Sequence, residues 1–332
     1  METEPIRQAA RMIRQGGVVA FPTETVYGLG ADALNPLAVA RVFEIKDRPF
    51  FDPLIVHIAD LDEMSRLVTG LPPDAEKLTH RCWPGPLTIV LFKKEEVPDI
   101  VTAGLPTVAV RMPSHPMALR LIKEAGCPIA APSANPFGYV SPTTADHVRE
   151  QLGGRVDLIL DGGPCEVGLE STIISFSGEK PRVLRFGGMP LEEIEAIIGR
   201  VESGPGKEEK PSSPGQLPRH YAPRTPIVID EWKKDPEAYR NRKTGLLALR
   251  DVPGSSPFYH VEVLSPEGDL REAAVNLFAA IRRLDALNLD LILAESVPEV
   301  GLGRAIMDRL RRASSNFEMD SNHKNDIPKE SP

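Results

Sequence analysis

The chain has 332 residues and a formal net charge of −8, from 39 Lys and Arg against 47 Asp and Glu. Nonspecific wrapping of nucleic acid needs many cations to neutralise phosphates, so the acidic balance excludes it and any basic residue that matters acts locally. The length suits two domains, the 33 prolines stiffen the loops, and no run approaches the ~18 apolar residues of a membrane span.

Cys82, Cys127 and Cys165 are widely spaced and form no C-x-x-C. That pattern speaks against a disulfide framework or a zinc site and fits a reducing cytoplasm. The N-terminal segment is a charged amphipathic helix over Ile6–Arg14 rather than a signal peptide. A strand follows at Val18–Phe21 and breaks at Pro22 into small hydroxyl residues and the glycines Gly28 and Gly30. These glycines read as turn residues ahead of a helical pattern. Asn35-Pro36 caps a helix over Leu37–Ile45. Leu54–Ile58 is a strand and Leu61–Val68 a helix. Leu87–Phe92 and Thr107–Arg111 are strands, and Pro116–Ala125 is a helix stopped by Gly126. Ile129–Ala131 is a short strand, Ala145–Leu152 a helix, and Leu158–Leu160, Ser171–Phe176 and Arg182–Arg185 are strands. Leu191–Ile198 is a helix. Residues 202–215 have linker composition. Strands at Ile227–Ile229, Thr244–Ala248, His260–Val263 and Leu291–Ala294 and helices at Asp269–Leu284 and Gly303–Arg312 follow. Alternating strands and helices imply α/β units with parallel or mixed sheets. The expected division is 1–200, a linker over 201–225, a second unit over 226–313, and a polar, disordered tail over 314–332.

Gly28-Leu29-Gly30-Ala31-Asp32-Ala33 fits the dinucleotide pattern G-x-G-x-x-A. Pro22 to Tyr27 intervene between strand and glycines, however, whereas a Rossmann turn closes the strand directly on the first glycine. No G-x-x-x-x-G-K-[ST] is present, so a triphosphate would have to be held by side chains. Lys46 and Arg48 share a face if their segment is extended. Arg111 and Arg185 end strands, where the crevice of an open α/β sheet lies. Together these cations signal a phosphate or carboxylate. His57 ends an apolar strand and on its own reads as a buried structural histidine. Ser133, Asn135 and Ser141 lie on a Pro-rich loop, where Ser and Asn also serve as turn formers. No Ser-His-Asp arrangement and no general base can be read from spacing. An RNA-binding module and a nicotinamide enzyme are the rival readings.

The segments Phe21–Gly30, Lys46-Asp47-Arg48-Pro49, Pro53–Ile58, Trp83–Thr88, Val108–Pro113, Ala131–Asn135, Leu169–Ile173, Arg185–Gly188, His220–Pro223 and Gly301–Leu310 together resemble the Sua5/YrdC/YwlC family of threonylcarbamoyl-AMP synthases. The likeness spans nearly the whole chain, in the long two-domain Sua5 form. It implies a YrdC-like twisted open mixed sheet with helices, joined by a long linker to a smaller Rossmann-like α/β domain. It implies a nucleotidyltransferase that condenses L-threonine, bicarbonate and ATP, with Mg2+, into threonylcarbamoyl-AMP and diphosphate. Partner transferases then place the group on adenosine 37 of tRNAs reading ANN codons (t6A), so tRNA would be met indirectly or weakly. Lys46 and Arg48 would be catalytic. Threonine would be met by Thr25, His57, Arg111, Ala131 and Ser171. ATP would be met by Arg48, Asp52, Thr107, Ser133, Asn135, Ser141, Arg185 and the linker Tyr221. No metal ligand is implied from protein side chains. Where the family commonly carries Asn, this chain has Asp52, and a carboxylate beside a triphosphate is repulsive unless a cation intervenes.

Overall fold

In a computed structural model of the chain, residues 3–204, 220–233, 239, 242–252 and 257–321 are described. The linker core 205–219 and the tail from 322 lie outside these residues. The first unit runs α1 (Thr3–Arg14), β1 (Val19–Phe21), β2 (Gly28–Asp32), α2 (Pro36–Lys46), β3 (Ile55–His57), α3 (Met64–Leu67), α4 (Pro73–Cys82), β4 (Leu87–Phe92), α5 (Asp99–Thr102), β5 (Thr107–Arg111), α6 (Pro116–Ala125), β6 (Ile129–Ala130), α7 (Ala145–Gln151), β7 (Leu158–Ile159), β8 (Thr172–Ser175), β9 (Arg182–Arg185), α8 (Leu191–Ile198) and β10 (Glu202–Ser203). Its ten strands form one mixed sheet in the order β10-β9-β8-β4-β5-β3-β6-β2-β1-β7. The second unit runs β11 (Ile227–Ile229), β12 (Thr244–Ala248), β13 (His260–Val263), α9 (Leu270–Ala286), β14 (Leu291–Ala294) and α10 (Gly303–Ser321). Its four strands are all parallel, in the order β11-β14-β12-β13.

The expected helix starts hold. Asn35 accepts from the amides of Leu37 and Ala38 at the head of α2, and Asp269 does so from Arg271 and Glu272 at the head of α9. The helices α4 and α5, and the strand β10 inside the expected linker, are additional to the expected elements, and two expected features differ. Gly28 and Gly30 are not a turn but part of β2, antiparallel to β1 with Val19 opposite Gly30 and Phe21 opposite Gly28. Space explains the glycines. A Cβ on Gly30 would stand 2.6 Å from both Ile129 Cγ2 and Phe21 Cε1, so only a bare backbone fits between β1 and β6. The second departure is α10, which runs past the expected stop at Arg312 to Ser321 and so takes up the start of the tail expected to be disordered. No Gly or Pro intervenes to end it.

The two units share a core. Val26, Val140, Leu169 and Tyr221 pack in one cluster with Leu277, Phe278 and Ile281 of α9 and Ile306 and Leu310 of α10. Gly168, at φ +74°, lets its loop run against α9, where a Cβ would lie 2.5 Å from Val275 Cα. Polar contacts fix the docking. Asp285 of α9 accepts from the Thr225 amide at 2.8 Å and from the Tyr139 hydroxyl, and Arg282 donates to the Val140 carbonyl and to Gln151 Oε1. The C-terminal unit is thereby seated against the loop 139–141 and the segment that enters from the linker.

Gly30→Ala is expected to destabilise the fold by about 1–3 kcal/mol, the usual cost of overpacking a filled core. A urea midpoint indistinguishable from that of the parent would show that β1 and β6 can part freely and that the spatial account of the glycine is wrong.

Candidate active site

The strand ends of the first sheet and the linker's return meet at a cleft. Its walls are Thr23, Thr25, Val26, Gly28, Arg48, Ile55, His57, Arg111, Ala131, Pro132, Ser133, Glu170, Ser171, Arg185, His220 and Tyr221. The cavity enclosed between them is about 50 Å³.

The hairpin loop between β1 and β2 is locked by its own hydroxyls. Thr23 Oγ1 donates to the Val26 carbonyl at 2.6 Å, accepts from the Thr25 and Val26 amides, and lies 2.8 Å from Thr25 Oγ1. Such side-chain turns are what Thr offers in a loop. Thr25 thus faces Arg111, whose Nη1 donates to Thr25 Oγ1 at 2.9 Å while its Nε donates to the Gly85 carbonyl at 3.2 Å. Arg111 ends β5 and stands in register with His57 at the end of β3. Behind it, Nη2 lies 2.6 Å from Glu24 Oε1. This is a charge contact rather than an aligned hydrogen bond, for neither carboxylate oxygen of Glu24 receives a well-directed donor among the described residues.

The opposite wall carries more cations. Arg48 follows the left-handed Asp47 that ends α2. It donates to the Asp52 and Pro53 carbonyls at 3.1 and 2.9 Å and lies 2.9 Å from Asp52 Oδ2. Arg185, at the end of β9, grips the Ser171 carbonyl through Nε and Nη2 at 3.1 and 2.9 Å and reaches Ser171 Oγ at 3.2 Å. The segment of Lys46 and Arg48 is not extended, because Lys46 closes α2. The helix end separates them, and Lys46 Nζ turns under the loop 132–135 to donate to the carbonyls of Ser133 and Asn135. Burial drives the Lys46 pKa well below its ordinary value, and Arg48 adds to the effect. Glu170 closes the floor. Its Oε1 accepts from Ser141 Oγ at 2.5 Å and its Oε2 from Arg309 Nε at 2.9 Å. Burial opposes its ionisation, but Arg309, Arg185 and the Ser141 bond outweigh that and hold its pKa below the usual range.

Comparison with known proteins gives the site a lineage. The family model for Sua5, YciO and YrdC proteins, described as telomere recombination, matches residues 11–187, and the model for the C-terminal domain of threonylcarbamoyl-AMP synthases matches residues 189–315. The threonylcarbamoyl-AMP synthase of Pyrococcus abyssi is 47% identical over 324 residues, covering 95% of each chain. That of Bacillus subtilis is 45% identical over 320 residues, covering 93% of this chain and 92% of its own. The chain belongs to the Sua5/YciO/YrdC family. Among solved structures, P. abyssi Sua5 complexed with L-threonine superposes with a TM-score of 0.89 at 45% identity, covering 95% of both chains. Escherichia coli YciO matches 56% of this chain and 90% of its own, with a TM-score of 0.52 at 28% identity.

Of the residues singled out from the Sua5 resemblance, Thr25, Arg48, His57, Arg111, Ala131, Ser133, Ser171, Arg185 and Tyr221 line the cleft. Lys46, Asp52, Asn135 and Ser141 are buried just behind the lining and hold parts of it. Asn135 Nδ2 donates to the Pro136 and Tyr139 carbonyls, at 2.9 Å each. Thr107 opens β5 opposite Phe92, about 13 Å from Arg111 at the strand's other end, and is not part of the lining. Glu170, Thr23 and His220 escaped the sequence reading. So did Arg309, although it falls on the apolar stripe Ile306, Leu310, Ala313 of α10, where a charge is itself a signal.

His57 is almost wholly buried, edge-on to Phe21 at 6.1 Å, and its Nδ1 has no hydrogen-bond partner among the described residues. Burial, reinforced by Arg111, lowers its pKa from 6.5 to about 3. As pH falls below 6.5 the unfolded chain gains a proton that the folded chain refuses until about pH 3, so acid destabilises the fold. This one group is expected to remove about 2 kcal/mol between pH 7 and pH 5. His57→Asn should flatten the fall of the denaturation midpoint over that range, and an unaltered slope would place the effect elsewhere.

Proposed function

We infer that this chain is a threonylcarbamoyl-AMP synthase, forming threonylcarbamoyl-AMP and diphosphate from L-threonine, bicarbonate and ATP. The observation that carries the reading is the pairing, in one cleft, of a small hydroxyl-lined corner around Arg111 with a wall of cations around Arg48 and Arg185. The family membership and the threonine-bound relative support it.

Arg111 is placed to clamp the threonine carboxylate, since a guanidinium matches a carboxylate with two parallel bonds. Thr25 and Ser171 offer hydroxyl partners of a size that leaves room for the threonine side chain. A site built around such a bond discriminates more sharply against a missing hydroxyl than against a missing methyl. The α-amine of free threonine, beside its own carboxylate, is mostly protonated at pH 7, so the step draws on a small neutral fraction. The neutral amine attacks the carbon of bicarbonate or of CO2, water or a proton leaves, and a carbamate forms. A carbamate oxygen then attacks the α-phosphorus of ATP, and diphosphate departs with the bonding pair. The enzyme's task in that step is alignment and charge neutralisation.

Arg48, Arg185 and the hydroxyl of Ser133 are placed to receive the phosphates. Lys46, through its two carbonyl bonds, fixes the loop that presents Ser133. Asp52 acts by holding Arg48, so its partner cation, not the triphosphate, answers its charge. Asn135 and Ser141 support the loop and Glu170. Thr107 stands outside this set. Among the described residues no cluster of three His, Cys, Asp or Glu could hold a metal. Mg2+ is expected to accompany ATP, where it offsets the charge of the phosphates. His220 and Tyr221 cover the cleft, excluding water from a product that is a hydrolysable mixed anhydride. A transferase acting on tRNA adenosine 37 would consume that product. We place the reaction in the cytoplasm; among the described residues no helix is long and apolar enough to cross a membrane.

Diphosphate release that requires threonine, bicarbonate and ATP together is the decisive assay, and release with any one omitted at the full rate would defeat the reading. Within that assay Arg111→Ala is expected to lower kcat/KM for threonine about 100-fold, as loss of a charged hydrogen-bonded clamp does. Arg48→Ala should lower turnover by a similar factor of about 100. If melting shows either variant folded and its rate stays within a few-fold of the parent, the residue roles given above are misplaced.

A further inference from the structure

We propose that Arg309, on α10 of the C-terminal unit, is a positioning residue of the nucleotide side of the cleft, holding Tyr221 and Glu170 in place. The inference rests on the reading of the cleft as the ATP and threonine site.

Arg309 has no exposed surface. Its Nε donates to Glu170 Oε2 at 2.9 Å, its Nη2 to the Phe186 carbonyl at 3.0 Å, and its Nη1 lies 2.6 Å from Asp308 Oδ2. Its guanidinium carbon sits 4.8 Å from the centre of the Tyr221 ring. Every partner except Asp308 lies outside the C-terminal unit, and Glu170 and Tyr221 line the cleft. Fold stability alone does not call for this residue. Burying an ion costs several kcal/mol, and well-packed apolar side chains commonly replace buried ion pairs at no loss. Charge and fork geometry matter only if the groups they hold must be held.

Both groups need holding. Tyr221 stands at φ +64°, a costly backbone for a non-glycine residue. Its ring is stacked on Phe278 of α9 at 5.7 Å and meets the His220 ring at 4.0 Å, and its hydroxyl has no partner among the described residues. The C-terminal unit therefore supplies the seat for the residue that covers the cleft. Glu170 has one oxygen on Ser141 and the other on Arg309. The charged groups that face it are Arg309 and Arg185, with Lys46 and the Tyr221 hydroxyl beyond. Without Arg309 its charge would be opposed by burial with less to offset it.

Arg309→Met is expected to raise KM for ATP about tenfold, the loss typical of one charged hydrogen bond, and to leave KM for threonine within about twofold. A merely structural defect would lower the active fraction, hence kcat, and leave KM alone. The acidic limb of kcat/KM for ATP should move to higher pH as Glu170 loses its main cation. Arg309→Lys should recover part of both effects. Arg304→Ala serves as the control, because it removes an ion pair between α10 and Glu192 that is remote from the cleft, and it should change neither quantity. A readout independent of activity is hydrogen exchange at the Ala222 amide, bonded to the Gly138 carbonyl at 2.9 Å. Exchange there should quicken about tenfold in Arg309→Met and not in Arg304→Ala. A folded Arg309→Met with parental KM, acidic limb and exchange overturns the proposal; if that variant does not fold, the same result for Arg309→Lys does. An equal loss in Arg304→Ala would also overturn it, in favour of general domain docking. A parent chain that forms no diphosphate would defeat the function assigned to the cleft, while the exchange measurement would still decide the role of Arg309.

Discussion

The structure turns on keeping several cations charged inside a cleft from which protein has displaced most water. Removing an ion from water costs several kcal/mol even after relaxation, and Lys46, Arg48, Arg111, Arg185 and Arg309 are all buried. Two means offset that cost. Carboxylates meet Arg48, Arg111 and Arg309, in the pairs with Asp52, Glu24 and Glu170. Backbone carbonyls meet Lys46, Arg185 and again Arg48. The second means differs in kind. A carbonyl dipole stabilises a cation without cancelling its charge, so the positive potential toward the ligand survives. An anion entering the cleft then meets preorganised charge at no cost of reorganisation.

That constraint explains why the loops around the site are so tightly specified. The carbonyls that serve Lys46 belong to Ser133 and Asn135, and their loop is fixed in turn by the bonds Leu29 to Pro132 and Ala134 to Tyr27. β2 and the residue before it supply those bonds, and β2 can lie where it does only because Gly28 and Gly30 leave room for Phe21 and Ile129. A packing requirement in the sheet is thus the remote condition for holding a lysine under the side of the cleft proposed for the phosphates. The carbonyl that serves Arg185 belongs to Ser171, whose hydroxyl is itself held by Thr88 at 2.7 Å. Each cation is anchored to a strand end or to a loop locked by a strand.

Much of this was legible in the sequence. Strand ends carrying Arg111 and Arg185, the cap at Asn35 and the strands of the second sheet follow from period and punctuation, which act locally. The glycines did not read correctly, because a glycine needed for space looks the same as one needed for a turn, and only the positions of Phe21 and Ile129 in three dimensions tell them apart. Lys46 and Arg48 misled for a related reason. Their spacing suggested a shared face in an extended segment, but Lys46 closes α2 and a left-handed Asp47 follows it, so the segment is not extended. Glu170 and Arg309 were invisible as a pair because 139 residues separate them, and pairings of that range leave no periodic trace.

The same balance of burial against charge acts at Asp52. A carboxylate there would repel a triphosphate if it faced one. It is fully buried instead, and it lies against the guanidinium of Arg48. Burial pushes its pKa up while Arg48, Lys46 and Arg185 pull it down. Those cations give it the same source of stabilisation that they offer a phosphate. On the proposed reading of the cleft, Asp52 competes with the ligand for Arg48. An amide in its place would hold Arg48 by dipole alone, as the carbonyls of Asp52 and Pro53 already do, and would leave more of the guanidinium's charge for the phosphates. The acidic side chain gives up part of that field for a firmly seated arginine, and the two neighbouring carbonyls keep the fork oriented whichever way the charge is shared.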